Sequence, residues 1–539
     1  MKGNNELINY IHSQRWCGFK QAIADGQVVD IQLDSVPFDN GQKFFTLGTA
    51  KLEDGSERTF FMPMARGHLD DVESVIINGE EMYDAMKAPD YWSALMDFFK
   101  ENHNEVMFNS GAVVRYHNIG DKKIIQDNMH SASKPLNVEQ SNTTIKVGDN
   151  AIAFKQDRMI ESDFGVSTEV EMNAKLMEAD CSAMPKTYGA FIMKEPGGKI
   201  ATLGIVQEFV PNRGDLWEFA NNYLVGALNE AQANGQDEID INDHPAFIEM
   251  MKNLGHKTTE MSECLSRPNG NPDFEPQPVD ADYLRGYEKN LNVLLYQTKR
   301  TIEQNIQNLD GETREQTQKL IENWDKLTQS FVKRNISLLS SGEKQSNIVR
   351  VHGDFHLGQV LVTKDGDLKF LDFAGEPGLS ITERKKKHPE TRDIAGMYRS
   401  ISGYLGPVVA ETFAATGEIV KRANGTDKNV TNPEKEAWAN RAVAPMIEVA
   451  TRSFLDGRSE AEPMLALEIL RKNLYEVGYE VSNRPDMAHI PVKGLVSLLN
   501  SGEEMTQKRT KQQGGVDIYG AANSNLAGKI LAEKLGNSL

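Results

Sequence analysis

The chain of 539 residues has no run of 18 apolar residues, and its opening, MKGNNELINYIHSQRW, lacks the apolar core of a signal peptide. A membrane span and a secretory leader are therefore not expected, and the chain reads as soluble and cytoplasmic. Cysteine is scarce: Cys17, Cys181 and Cys264 are far apart in sequence and form no CxxC pair. A disulfide framework or a zinc cluster is not expected from them, and a reducing compartment fits. Positive charge is also short, with 59 Lys and Arg against 78 Asp and Glu, a formal net charge of -19. Nucleic acid and anionic membranes reward the opposite balance, so neither is expected as a partner. Neither GxGxxG nor GxxxxGK[ST] occurs, which argues against a Rossmann fold and a P-loop NTPase.

What is present is ordinary globular composition, 39% hydrophobic and 25% charged, in a chain long enough for two to four domains. Residues 1–115 read as a small α/β unit. FFTLGTAKLEDGSERTFFMPMA alternates around an Asp54-Gly55 turn, and a helix is expected over MYDAMKAPDYWSALMDFFK. The polar stretch 117–139 reads as a linker. A second unit, 116–214, contains TTIKVGDNAIAFK, two strands around a turn with Lys155 ending the second, then a helical STEVEMNAKLMEA and a buried strand KIATLGIVQEFVP. From 215 to about 500 the pattern is mostly helical. Ile302, Ile306 and Leu309, then Leu320, Trp324, Leu327 and Phe331, mark core-facing stripes. Residues 501–539 read as a C-terminal extension.

The chemistry concentrates in RVHGDFHLGQVLVTKDGDLKFLDFAGEP, residues 350–377. VLV and LKFLD are apolar strands separated by a turn at Asp365-Gly366, so a hairpin is expected. Folding back brings Asp372 beside the loop that carries Asp354 and Gln359. A hydroxyl-orienting acid and two oxygen ligands at one hairpin end suit phosphoryl transfer from a Mg²⁺-bound nucleotide. His352 and His356 are four apart, but the segment reads as a loop entering a strand, not as a metal-binding helix.

H-G-D-x-H-x-x-[NQ] followed by a D-F strand end resembles the catalytic loop of the aminoglycoside-phosphotransferase and choline-kinase-like group. HGDFHLGQVL with GEP is similar to the maltokinases and glucosamine kinases in particular. LINYIHSQRWCGFK, EQSNTT, ETRDIAGMYRS and LRKNLYEVGYEVSNRPDMAHIPVKGL follow in that family's order. The resemblance implies an α+β, eukaryotic-protein-kinase-like two-lobed fold with an N-terminal α/β cap and a mostly helical C-lobe. It implies ATP and Mg²⁺ as cofactors and a sugar hydroxyl as acceptor. Maltose, giving maltose 1-phosphate, is the first expectation, with a place in α-glucan or trehalose metabolism. Glucosamine, giving glucosamine 6-phosphate, is the alternative, as is a non-catalytic kinase-like subunit.

The resemblance also implies roles. Asp354 orients the attacking hydroxyl; Gln359 and Asp372 hold Mg²⁺; His352 braces the loop. Lys155 neutralises nucleotide phosphates, oriented by a helix glutamate, with Glu171 favoured by spacing and Glu169 open. Gln140, Ser141, Asn142 and Thr143 serve the phosphates, and the Gln207, Glu208, Val210 hinge meets adenine through its backbone. Tyr475, Tyr479, Glu480 and Arg484, at helical spacing, together with Glu376 of the GEP turn, form the expected sugar side. Ala374 stands where most relatives carry an acid, and the region 225–345 is longer than in a typical maltokinase, which leaves the acceptor open.

Overall fold

A computed structural model describes residues 2–136, 142–149, 151–161, 166–341, 347–376, 378–421 and 427–512, with only the backbone for 2–4 and 501–512. The chain divides into two compact units, Met1–Leu284 with Gly342–Lys472, and Arg285–Ser341 with Asn473–Leu539.

The first unit opens with strands β1 (Val28–Phe38), β2 (Lys43–Leu52), β3 (Glu57–Phe61), β4 (Met64–Arg66), β5 (Ser74–Ile77) and β6 (Glu80–Asp84). They form an antiparallel sheet in the order β1-β2-β4-β6-β5, with β3 on β2. The expected Asp54-Gly55 turn joins β2 to β3, and Gly55 sits at φ 81°, where a side chain would be strained. Gly48 is required for a different reason. A Cβ there would lie 2.1 Å from the Phe60 ring.

The helix expected from Met82 starts only at Tyr91 and ends at Glu101. Met82, Tyr83 and Asp84 pair with β4 instead, and Pro89 is a poor residue to carry inside a helix. Of the stretch 117–139 expected as a linker, the described residues 117–136 are structured. Strand β8 (Val113–Asn118) runs into it, Asp121 caps a helix Lys122–Asp127, and β9 (Ser133–Pro135) closes it. With β7 (Glu105–Met107), β10 (Thr143–Val147), β11 (Ile152–Gln156), β12 (Thr187–Lys194) and β13 (Ile200–Glu208), these make a second sheet, ordered β7-β8-β12-β13-β11-β10-β9. The expected boundary at 115 thus falls inside β8.

Both sheets share one core. Phe38, Phe45 and Phe61 of the first sheet, Trp92 and Phe99 of the helix, and Phe154, Phe191 and Leu203 of the second are all buried in one cluster. Each such side chain contributes roughly 1.5–3 kcal/mol by leaving water, so the cap is not a detachable ornament.

Beyond 215 the first unit is helical, as expected. Leu216, Ala220, Leu224, Ala227, Leu228 and Ala231 bury one stripe of the helix Leu216–Ala233, whose N-terminus Asp215 caps. Helices Pro245–Ser266 and Pro433–Leu455 pack on one another. Of the cysteines, all free thiols, Cys181 and Cys264 meet in space and hydrogen-bond one another, which their sequence separation hid.

In the second unit the helix Trp324–Ser340 packs on His489–Gln512. Ile302, Leu309, Leu320, Trp324 and Phe331 are buried there, whereas Ile306 and Leu327 are half-buried. Ile306 begins a 3-10 turn that interrupts the helical period. Among the described residues no helix is long and apolar enough to cross a membrane.

Candidate active site

The site is built on the expected hairpin. Val360–Thr363 pairs with Leu368–Phe370 in the register Val360↔Phe370, Leu361↔Lys369, Val362↔Leu368, and Gly366 turns at φ 89°. Beyond the hairpin the backbone stays clasped: the Leu371 amide donates to the Gln359 carbonyl at 2.9 Å, and His352 Nε2 lies 2.8 Å from the Leu371 carbonyl. The loop before the first strand and the residues after the second are therefore held together.

Asp393 fixes the loop from below. Its two carboxylate oxygens accept the His352 amide at 2.8 Å and the Gly353 amide at 2.9 Å. The His352 ring sits between Phe355 and Phe373, at centroid distances of 5.1 and 4.8 Å. So His352 is a brace in this fold, and among the described residues no cluster of three or more His, Cys, Asp or Glu is arranged to hold a metal. Gly353 sits at φ 88°, and a Cβ there would be 3.3 Å from Gly375, so the HGD and GEP turns approach backbone to backbone.

Asp372 occupies the left-handed region at φ 61°, a conformation that aspartate adopts at some cost and that sharp functional turns often retain. Its Oδ1 accepts from Lys155 Nζ at 2.8 Å, and Lys155 also reaches Glu169 Oε2 at 3.0 Å. Burial pushes the Asp372 carboxyl up, but the Lys155 charge and hydrogen bond, with a further one from the Gln359 side chain, hold it below the usual carboxylate range. Glu169 is raised by burial despite Lys155. Lys155 itself, opposed by burial, is raised by Glu169, Asp372 and Asp157 and stays a cation. Burial, opposed by Lys155 and reinforced by Glu169 and Asp372, pushes Asp157 up to about 7.

The lysine partner is Glu169, not the favoured Glu171. Glu171 faces Lys385 Nζ at 2.7 Å and Arg350 Nη1 at 3.2 Å. The two glutamates are only two apart on the helix Thr168–Glu178, so they point about 200° apart and a two-residue insertion is enough to mislead alignment by spacing.

Asp354 lies between Lys472, whose Nζ is 3.4 Å from Oδ1, and His356, whose Nε2 is 3.9 Å from Oδ2. Burial, only partly offset by Asp354, lowers the His356 pKa, so its ring is neutral at pH 7. Glu376 is 3.7 Å from Arg471 Nη1. Gln359 and Asp372 supply an amide and a carboxylate, a donor pair suited to a hard cation that completes its shell with water and phosphate oxygens.

The remaining calls divide. Thr143 accepts from Arg158 Nε at 3.0 Å at the start of β10, Asn142 precedes it, and Gln140 and Ser141 lie outside the described residues. At the hinge, the Glu208 amide donates to the Lys186 carbonyl at 2.7 Å, Gln207 Nε2 reaches Thr187 Oγ1 at 3.4 Å, and the Val210 carbonyl accepts from Asn212 at 2.8 Å. Tyr475, Tyr479, Glu480 and Arg484 belong to the second unit. There Arg484 Nε meets the buried Glu480 Oε2 at 2.9 Å and the guanidinium lies 5.5 Å from the Tyr479 ring centre, while Tyr475 and Tyr479 stack at 6.4 Å. Lys472, Arg471 and Asp393 were not singled out from the sequence. Lys472 stands three and four residues before Tyr475 and Glu476, the spacing of one helix face, and that was the signal available.

The fold is the α+β, two-lobed architecture of kinase-like phosphotransferases. A solved structure of glucosamine kinase in complex with glucosamine, ADP and inorganic phosphate superposes with a TM-score of 0.53 at 18% identity, over 88% of this chain and 94% of that one. A second crystal form of glucosamine kinase gives 0.54 at 18% identity, over 88% and 95%. In sequence, glucosamine kinase of Streptacidiphilus jiangxiensis is 30% identical over 163 residues, 28% of this chain. That match spans 32% of the relative's length. No family model matches the chain. The resemblance drawn from the sequence thus recurs in fold and in partial sequence on its glucosamine-kinase side.

Proposed function

We propose that the chain is an ATP-dependent sugar kinase that transfers the γ-phosphoryl group to a sugar hydroxyl. The observation that carries this is the convergence of Lys155, Glu169, Gln359 and Asp372 at one end of a hairpin whose loop also bears Asp354. In the structure Asp372 is paired with Lys155; with nucleotide bound, Lys155 turns to the phosphates while Glu169 keeps its orientation. Gln359 and Asp372 would hold Mg²⁺, whose charge would offset that of the phosphates when bound. Asp354 accepts the proton as the sugar oxygen bonds to phosphorus and the bond from phosphorus to the ADP oxygen breaks. Asn142, Thr143 and the hinge backbone at Gln207, Glu208 and Val210 are assigned to the nucleotide, and Glu376 to the sugar.

The acceptor we favour is glucosamine, ahead of maltose, because the two solved structures described above and a sequence relative are glucosamine kinases. The test is ADP release by the full chain with Mg²⁺ and ATP over a panel containing glucosamine, maltose and glucose. Turnover of glucosamine above the others supports the choice. Faster maltose turnover restores the first expectation from the sequence, and the absence of ADP release with every sugar on the panel favours a non-catalytic kinase-like subunit.

A further inference from the structure

The helix Pro463–Asn483 brings two consecutive cations to the catalytic loop, Arg471 beside Glu376 and Lys472 beside Asp354. The Lys472 side chain is only 14% exposed, an expensive place for an ammonium unless its charge is matched. The helix is pinned there. Glu468, one turn earlier and fully buried, meets Arg471 Nε at 2.8 Å and Arg392 Nε at 3.2 Å. Burial would raise the Glu468 carboxyl, but those two guanidinium groups bring it down to about 2, so the network stays charged. On the other side of Asp354 stands His356, with Nε2 3.9 Å from Oδ2, so Lys472 approaches one carboxylate oxygen and the imidazole the other.

Resting on the kinase reading, we propose that Lys472 is a phosphoryl-binding catalytic residue on the acceptor side. It holds Asp354 Oδ1 before transfer and the oxygens of the moving phosphoryl group during it, leaving Oδ2 for the acceptor hydroxyl. The charge balance fits. When the hydroxyl proton passes to Oδ2 the carboxylate becomes neutral, and the charge it loses reappears on the phosphate ester formed beside it. A single ammonium serves first one anion and then the other without moving far, while Lys155 serves the donor side.

The test compares wild-type chain, Lys472→Arg and Lys472→Met in Mg²⁺-ATP and glucosamine or whichever sugar the panel selects, reading kcat, each KM and the thermal midpoint. Lys472→Met is expected to lower kcat on the order of 100-fold, with both KM values within about threefold. Lys472→Arg is expected to recover at least about a tenth of wild-type kcat, because it restores the charge. Unchanged kcat in Lys472→Met overturns the inference, as does a loss seen only in sugar KM or an arginine variant no better than methionine. If Lys472→Met does not fold, Lys472→Gln is read by the same criteria. A wild-type chain that transfers to no sugar overturns the kinase reading itself, and this inference with it; an active wild type with an equally fast Lys472→Met overturns the inference alone.

Discussion

At the scale of the residue, one ammonium answers two carboxylates. Lys155 lies 2.8 Å from Asp372 and 3.0 Å from Glu169, and on the proposed function the glutamate is the partner that keeps it oriented when nucleotide binds. Glu169→Gln is therefore expected to lower kcat/KM for ATP by roughly 10–100-fold. Glu171→Gln should leave ATP use within about threefold and lower the thermal midpoint instead, because it unpairs Lys385 and the buried Arg350. Steady-state kinetics and melting curves on the two variants separate these outcomes. Asp157 adds a pH signature. Its pKa of about 7 in the folded chain lies above the ordinary value of 3.8, so its protonated form stabilises the fold at low pH. That contribution is lost as pH rises towards and through about 7. Asp157→Asn should raise the melting temperature at pH 8 by roughly 2–4 °C relative to wild type and by less at pH 5. Residue placement was legible where a motif fixes spacing, as with Gln359 and Asp372, which meet at the hairpin end. It was not legible at Lys472, which reaches Asp354 across 118 positions of sequence.

Elements explain how the motif is held in place. The hairpin was readable from VLV, a turn at Asp365-Gly366 and LKFLD, because alternation and turn chemistry are local. What holds its loop is not local: Asp393 satisfies the buried His352 amide and the Gly353 amide beside it from a helix some forty positions on. Replacing it by alanine leaves both donors without their carboxylate, at about 1–3 kcal/mol each. Asp393→Ala is expected to melt several degrees lower and to lose kcat on the order of 10-fold or more, since Asp354 follows directly on the freed loop. Calorimetry and kinetics together check this; an unchanged kcat in a folded variant would contradict the bracing role. The helix expected over 82–100 illustrates the opposite case. Apolar spacing in MYDAMK fits a helix, yet β4 and β5 offer strand partners to Met82 and Tyr83, and tertiary pairing overrides the local period.

At the scale of the whole molecule, the order of motifs along the chain announced a kinase-like fold, and the sheet topology and helices bear it out. The limits of the cap did not show in the sequence, because β7 and β8 belong to the second sheet and a shared aromatic core joins both sheets. Nor did the division into two compact units, since 285–341 and 473–539 combine segments distant in sequence. The central claim spans all three scales, and it is tested most directly by sugar-dependent ADP release from wild type and Asp354→Asn. The account predicts Mg²⁺-dependent transfer by wild type, and a loss of at least about 10³-fold in kcat for Asp354→Asn with ATP affinity within about threefold. Transfer that survives intact in Asp354→Asn, or a wild type that phosphorylates no sugar, would contradict it.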